Sequence, residues 1–489
     1  MPSLSGILAL ASTIVSLGYA IPAPAPSPAP TAAPPLDNAK DLNDRDLLGV
    51  TSILGGVTSE LGLLIQQVDT GLTALNELGG NGNRQSSASS ILANVVKPTA
   101  TMTDLNQASA AIESAWSSPT PNNIYAGIGQ LVAAGAAGEG LGAAVNAIGN
   151  TGPNSNNNNN PINPNPAAYP KAGSHDAPYD LTEAQLRAAI YIPSTFQYGR
   201  SGAPQPVILV PGTGATGYLT FTGNYIPLLT GSTIGDPVWL NIPGYLLADA
   251  QVNSEYVAYA INYIYGISNR RNVAVVAWSQ GNIDVHWAHK YWPSTRSRTT
   301  DHVAISPDYH GTIEANEIAL GEPLPPSVLQ QEYNANFITT LRNYNGDSAY
   351  VPTTNVYSGF YDEIVEPQQG SNASAILHDI RNVGVTNNQV QLVCPGQPAG
   401  GFYTHEGVLA NALGYALFRD ALSHSGPGQP SRLNLASVCA APFTPGLSVQ
   451  DVLLTENAIL VAGIAVLSYP QKVEQEPAIK SYALSYNGY

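Results

Sequence analysis

Four short apolar runs limit what this chain can fold into: "QPVILVPG" (residues 205–212), "NVAVVAW" (272–278), "HVAISPDY" (302–309) and "TTNVYSGFYDEIV" (353–365). They are rich in β-branched residues and end near glycine, proline or acidic residues, the marks of a strand running into a turn. The first two have no polar face, so both of their sides must be covered. Amphipathic, helix-like stretches such as 253–265 lie between the runs. Strands alternating with helices at this spacing imply an α/β fold, a mostly parallel sheet with helices on both faces.

At 489 residues the chain is too long for one ordinary domain, and its composition divides it. Residues 1–20 hold an apolar run from Ile7 to Ala20 with small residues at Gly18 and Ala20, which reads as a signal peptide cleaved near Ala20, although no basic residue precedes the run. The alternative, a membrane anchor, needs a longer span, and no later segment offers about eighteen consecutive apolar residues. Residues 21–35, "IPAPAPSPAPTAAPP", read as a Pro-rich linker because proline removes backbone donors. Residues 36–150 have a different texture. Val50, Leu54, Val57, Leu61, Leu64, Val68, Leu72, Leu75 and Leu78 recur at steps of three and four, and Ile112, Trp116, Ile124, Ile128, Leu131, Leu141, Val145 and Ile148 continue helical spacing beyond Pro98. This is expected to be a small helical accessory or pro-region. An amphipathic module for an oil–water surface is the alternative, and scarce Lys and Arg argue against anionic lipid. Residues 151–170, "TGPNSNNNNNPINPNPAAYP", read as an Asn/Pro linker, and residues 171–489 as the α/β domain that holds the four runs.

A formal charge of -16 excludes nucleic acid, whose phosphates need a Lys/Arg surface. The two cysteines, Cys394 and Cys439, are a pairable count in an oxidising compartment. The alternative is two unrelated buried thiols. "NAS" at Asn372 is a glycosylation sequon.

The chemistry centres on Ala277-Trp278-Ser279-Gln280-Gly281, small-x-Ser-x-small between a strand and a helix. A nucleophilic serine in a strained turn requires small residues two before and two after it, and alanine satisfies this less completely than glycine. The oxyanion of an acyl-transfer reaction needs backbone N–H donors. One would come from Gln280, the residue after the serine, and another from the glycine-rich loop "VPGTGATG" (210–217), where Thr213 adds a hydroxyl. That loop also matches G-x-G-x-x-G, but the acid about twenty residues on, Asp236, follows no clean strand, so no dinucleotide is expected. The order serine, acid, histidine points to Asp362, with Glu363 directed the other way along an extended backbone. Asp308 ends a strand closer to the serine and reads as an acid beside the site. Of the later histidines His378, His405 and His424, His405 lies between the cysteines and before a helix-like run. His286 and His289 read as packing or surface residues. No His/Cys/Asp cluster has metal-ligand spacing.

The blocks "PVILVPGTGATG", "GNYIPLL", "PVWLNIPGYLLADAQVNSEY", "WSQG", "YWPSTRSR", "SPDYHGT", "VPTTNVYS" and "DEIVEPQ" resemble the fungal lipase B family over roughly residues 171–483. The resemblance implies an α/β-hydrolase fold and a serine lipase or carboxylesterase that hydrolyses or transesterifies carboxylic esters such as acylglycerols. It implies Ser279 as nucleophile, Asp362 as orienting acid, His405 as base, and Thr213 and Gln280 as oxyanion donors. Asp308 and Gln331 would line the pocket, Trp278 would wall it beside the serine, and Cys394 would pair with Cys439. The chain departs from the family at Val238, where a half-cystine is expected, in lacking a C-terminal bridge, at Thr404 before the base, and over residues 314–326. The expectation is a secreted, monomeric enzyme with no cofactor and possible contact with an oil–water interface. The alternatives are a cutinase-like polyester hydrolase or a catalytically silent secreted binding protein on the same fold.

Overall fold

The computed structural model describes residues 102–117, 134–136, 150–318, 323–359 and 361–486. The expected signal peptide, the Pro-rich linker and the helical seam over residues 50–78 lie outside the described residues. Seven strands form one sheet: β1 (Ile190–Tyr191), β2 (Gln205–Val210), β3 (Gly235–Leu240), β4 (Val273–Trp278), β5 (Thr299–Ile305), β6 (Thr353–Tyr357) and β7 (Val385–Gln389). The spatial order is β1-β3-β2-β4-β5-β6-β7. Every neighbouring pair is parallel except β1 with β3. The helices used below are α1 (Leu105–Ser117), α2 (Glu183–Ala188), α3 (Ala250–Ile267), α4 (Gln280–Tyr291), α5 (Ala412–Ser423) and α6 (Val449–Glu456).

The period-two alternation of a strand sorts each apolar run between two cores. From β4, Val273, Val275 and Ala277 join Ile208 and Val210 of β2 against Val257, Ile261 and Ile264 of α3 and Ile283 and Trp287 of α4. The intervening Ala274, Val276 and Trp278 join Val207, Leu209, Val303 and Ile305 against Leu413 and Leu417 of α5 and Val452 and Leu453 of α6. Each aliphatic side chain fully buried this way contributes about 2 kcal/mol. The alternation also fixes the site, because it turns Trp278 toward the α5–α6 side and Ala277 toward α4. Helix α1 adds Ala108 and Ile112 to the α5–α6 core and packs on α6, so this part of the expected accessory region belongs to the same body as the sheet.

The Asn/Pro segment read as a linker is bound to the sheet and to α2. Trp239 Nε1 and Asn241 Nδ2 both donate to Pro153 O, at 2.8 and 2.9 Å, and Thr216 Oγ1 donates to Asn154 Oδ1. Asn158 Nδ2 donates to Ala188 O at 2.9 Å, and Asn160 Nδ2 to Arg187 O at 3.0 Å and Ile190 O at 2.8 Å. Side-chain amides thus satisfy carbonyls that the end of α2 leaves open. Composition is silent about such long-range partners, which is why the segment resembles a tether in sequence.

Candidate active site

The sheet's topology gathers the site at the carboxyl ends of its parallel strands, where open α/β sheets place their clefts. Ser279 follows β4, the 211–217 loop follows β2, Asp308 follows β5, Asp362 follows β6, and His405 lies between β7 and α5. Ser279 connects β4 directly to α4 with φ 53° and ψ −133°. A non-glycine residue in such a region costs roughly 1–3 kcal/mol and persists only where its surroundings impose it. Here Ser279 N donates to Ile305 O at 3.1 Å, and Asn282 Nδ2 donates to both Ser279 O and Ile305 O at 3.0 Å. A Cβ on Gly281 would lie 2.3 Å from Pro211 O, and one on Gly212 2.6 Å from the Trp278 ring. The 211–217 loop is therefore pressed onto the elbow from both sides of the serine, and only glycine fits. Ala277 packs into the α4 core between Val210 and Ala304, and its methyl fits there.

His405 faces the elbow through Trp278. The two rings are 5.2 Å apart, Trp278 Nε1 donates to His405 O at 3.2 Å, and Ser306 Oγ donates to the same oxygen at 2.9 Å. Imidazole Nδ1 contacts both Asp362 oxygens, at 3.0 and 2.9 Å. The opposite nitrogen, Nε2, is buried and makes no hydrogen bond. Burial disfavours the imidazolium, but Asp362 through charge and hydrogen bond, with Glu363 and Asp308, more than offsets this and raises the His405 pKa. Asp362 Oδ1 also accepts from Ile364 N and Val365 N, which fixes the carboxylate. The other histidines are elsewhere. His378 and His424 are exposed, His286 contacts Gly346 O, and His289 contacts Thr295 Oγ1.

Thr213, Gln280 and Gln331 form one polar group beside the elbow. Thr213 Oγ1 is 2.8 Å from Gln280 Oε1 and 3.0 Å from Gln331 Oε1, and Gln331 Nε2 donates to Gln280 Oε1 at 3.1 Å. Gln280 Nε2 donates to Leu246 O at 3.0 Å, so that side chain is held at both ends. As the first residue of α4, Gln280 has a backbone N–H with no intrahelical acceptor. Asp308 is buried with no hydrogen-bond partner for either oxygen, and burial, with the Asp362 charge adding and His405 opposing, pushes its pKa up to about 7. Asp236 instead accepts from the Gln197 backbone N–H and takes no part in the cleft. Cys394 and Cys439 form a disulfide with a Cα–Cα distance of 5.3 Å, which closes off the segment that carries His405. Asn372 is exposed, at the end of a short 3₁₀ turn.

Glu363 was expected to point away from the site. Instead its Oε2 accepts the His405 backbone N–H at 2.9 Å, so it holds the same residue that Asp362 contacts through the imidazole. Two further buried carboxyls, Glu406 and Glu456, stand behind the same turn, and Glu456 Oε2 accepts from Thr404 Oγ1 at 3.0 Å. In sequence, neither Glu406 nor Glu456 belongs to a motif that marks it. Only the three-dimensional meeting of the segments reveals them.

A mostly parallel sheet with helices on both faces, and a serine on a strained strand-to-helix turn at its carboxyl edge, define an α/β-hydrolase fold. No family model matches the chain. Lipase B of Pseudozyma antarctica is 35% identical over 289 residues, covering 58% of this chain and 80% of that protein. The crystal structure of Aspergillus fumigatus lipase B matches with a TM-score of 0.76 and 43% identity, covering 86% of this chain and 99% of that one. The chain belongs to the lipase B family and is a carboxylic-ester hydrolase.

Proposed function

We propose that the chain is a secreted serine lipase or carboxylesterase that cleaves carboxylic esters, acylglycerols among them, through an acyl-enzyme on Ser279. Ser279 Oγ attacks the ester carbonyl while His405 Nε2 takes its proton, and Asp362 holds the imidazole tautomer and stabilises the imidazolium. The backbone N–H of Gln280 and the Thr213 hydroxyl stabilise the tetrahedral oxyanion, each donor worth about 3 kcal/mol. His405 then protonates the departing alcohol. Water, or a second alcohol in transesterification, releases the acyl group by the reverse sequence. Trp278, Asp308 and Gln331 border the acyl pocket.

The observation that carries this reading is the two-oxygen contact of Asp362 with His405 Nδ1, on a turn packed against Trp278, the residue before Ser279. It leaves an unpartnered Nε2 as the available base. The Cys394–Cys439 bridge supports secretion, since such bonds persist in oxidising compartments. On this reading the enzyme works as a monomer that touches oil–water interfaces, and Asn372 carries a glycan. The test is Ser279→Ala. Hydrolysis of a p-nitrophenyl ester should be lost while the thermal midpoint is retained. Near-normal turnover by the variant contradicts the assignment.

A further inference from the structure

The polar group behind His405 is larger than ester hydrolysis requires. Glu363, Glu406 and Glu456 come from three separate segments: the turn after β6, the residue after the histidine, and the last turn of α6. All three are buried. Glu363 Oε2 accepts from His405 N at 2.9 Å. Glu456 Oε2 accepts from Thr404 Oγ1 at 3.0 Å, and Thr404 Oγ1 accepts from Gly407 N at 2.8 Å. Gly407 leaves the room that Glu456 occupies, because a Cβ there would lie 2.7 Å from Glu456 Oε1. The remaining oxygens, Glu363 Oε1, both of Glu406 and Glu456 Oε1, have no donor. Among the described residues no Lys or Arg forms an ion pair with any of the three.

Three buried carboxylates without a cation cannot all be ionised, since each would bear the desolvation cost and the repulsion of the others. Protonation resolves both problems at once. A carboxylic acid is a donor, so protons held between neighbouring carboxyls turn repulsive oxygen pairs into O–H···O hydrogen bonds. Glu406 is close enough to Glu363 and Glu456 to be repelled by their charges, and a proton on any of the three relieves that repulsion.

We propose that Glu363, Glu406 and Glu456 form one proton-sharing carboxyl cluster that holds the Thr404–Glu406 turn and thereby positions the His405 imidazole for ester hydrolysis. The three are positioning residues, and the proposal rests on His405 being the base. Burial, reinforced by mutual repulsion, raises all three pKa values: Glu363 up to about 7, Glu456 up to about 8, and Glu406 well above the usual carboxylate range. The folded state therefore holds protons that the unfolded chain releases. The stabilisation is complete below the ordinary glutamate range and is lost as pH rises through about 7 to 8. The other titratable groups around the cluster are Asp362, His405, Asp308 beyond the imidazole, and the Tyr403 phenol. On the helices packed nearby, Glu113 of α1 is exposed and Asp451 of α6 is half-buried.

The test compares the pH profile of kcat/KM for a soluble p-nitrophenyl ester in the wild-type chain, E406Q and E456Q. Glutamine keeps the shape and cannot ionise. The alkaline limb should move up by about one pH unit or more in either variant, with the acid limb in place. Limbs that coincide with wild type in both variants overturn the proposal. A second readout needs no variant: the wild-type thermal midpoint should fall as pH rises through about 7 to 8, and a flat midpoint there overturns the proposal as well. Labelling with a serine-reactive phosphonate separates this failure from a failure of the catalytic reading. A wild type labelled at Ser279 with unmoved limbs removes the cluster alone. A wild type left unlabelled at Ser279 removes both.

Discussion

The Asn/Pro strap and the turn that carries His405 are both irregular backbone on the same domain, and they treat their polar atoms in opposite ways. In the strap, Asn158 and Asn160 each donate to two carbonyls, and Pro153 O receives two donors. Around His405, buried atoms are left over: imidazole Nε2, both oxygens of Asp308 and both of Glu406. An unsatisfied buried polar atom costs about 1–3 kcal/mol, so a fold keeps several in one place only if something else compensates. Saturated hydrogen bonding marks a segment that holds the structure. Concentrated deficits mark a place that waits for a proton or a substrate.

This contrast can be broken or sharpened by mutation. The largest effect is expected from Asp362→Asn, which keeps the shape but removes the charge that fixes the tautomer. Esterase kcat should fall by about 10⁴, with little change in folding. A loss below tenfold would place the base elsewhere. Next, replacing Cys394 and Cys439 together by serine opens a loop with a sequence separation of 45 and should cost roughly 3–4 kcal/mol in urea unfolding. Thr213→Val follows. It removes one oxyanion donor and should reduce kcat by about 10²-fold, with KM for a short-chain ester nearly unchanged. The smallest effect belongs to the strap. Asn160→Ala leaves Arg187 O and Ile190 O without their amide donor and should lower stability by about 1–2 kcal/mol while leaving kcat/KM as it was. If this change altered activity as much as stability, the division between holding and reacting segments would fail.

The legibility of these regions in sequence follows their locality. The elbow was readable because its constraints fall within five residues, Ala277 to Gly281, directly after an apolar strand. The parallel sheet was readable because strands covered on both faces have no polar side to hide. Asp362 and His405 required the order of the elements as well as their composition, and Gln331 and Trp278 came only through family resemblance. The strap's contacts were not readable because its asparagines serve carbonyls 27 and 30 positions away, which no local pattern records. Glu363, Glu406 and Glu456 were invisible for the same reason. A glutamate within a polar or amphipathic stretch reads as a solvated side chain until the fold removes the solvent.

The most direct test of the account is covalent labelling. A serine-reactive phosphonate incubated with the full-length chain should attach one equivalent to the peptide containing Ser279, located by mass spectrometry. Asp362→Asn should slow that attachment about as much as it slows hydrolysis. Stoichiometric labelling of a different serine, or inhibition with Ser279 unmodified, would contradict it.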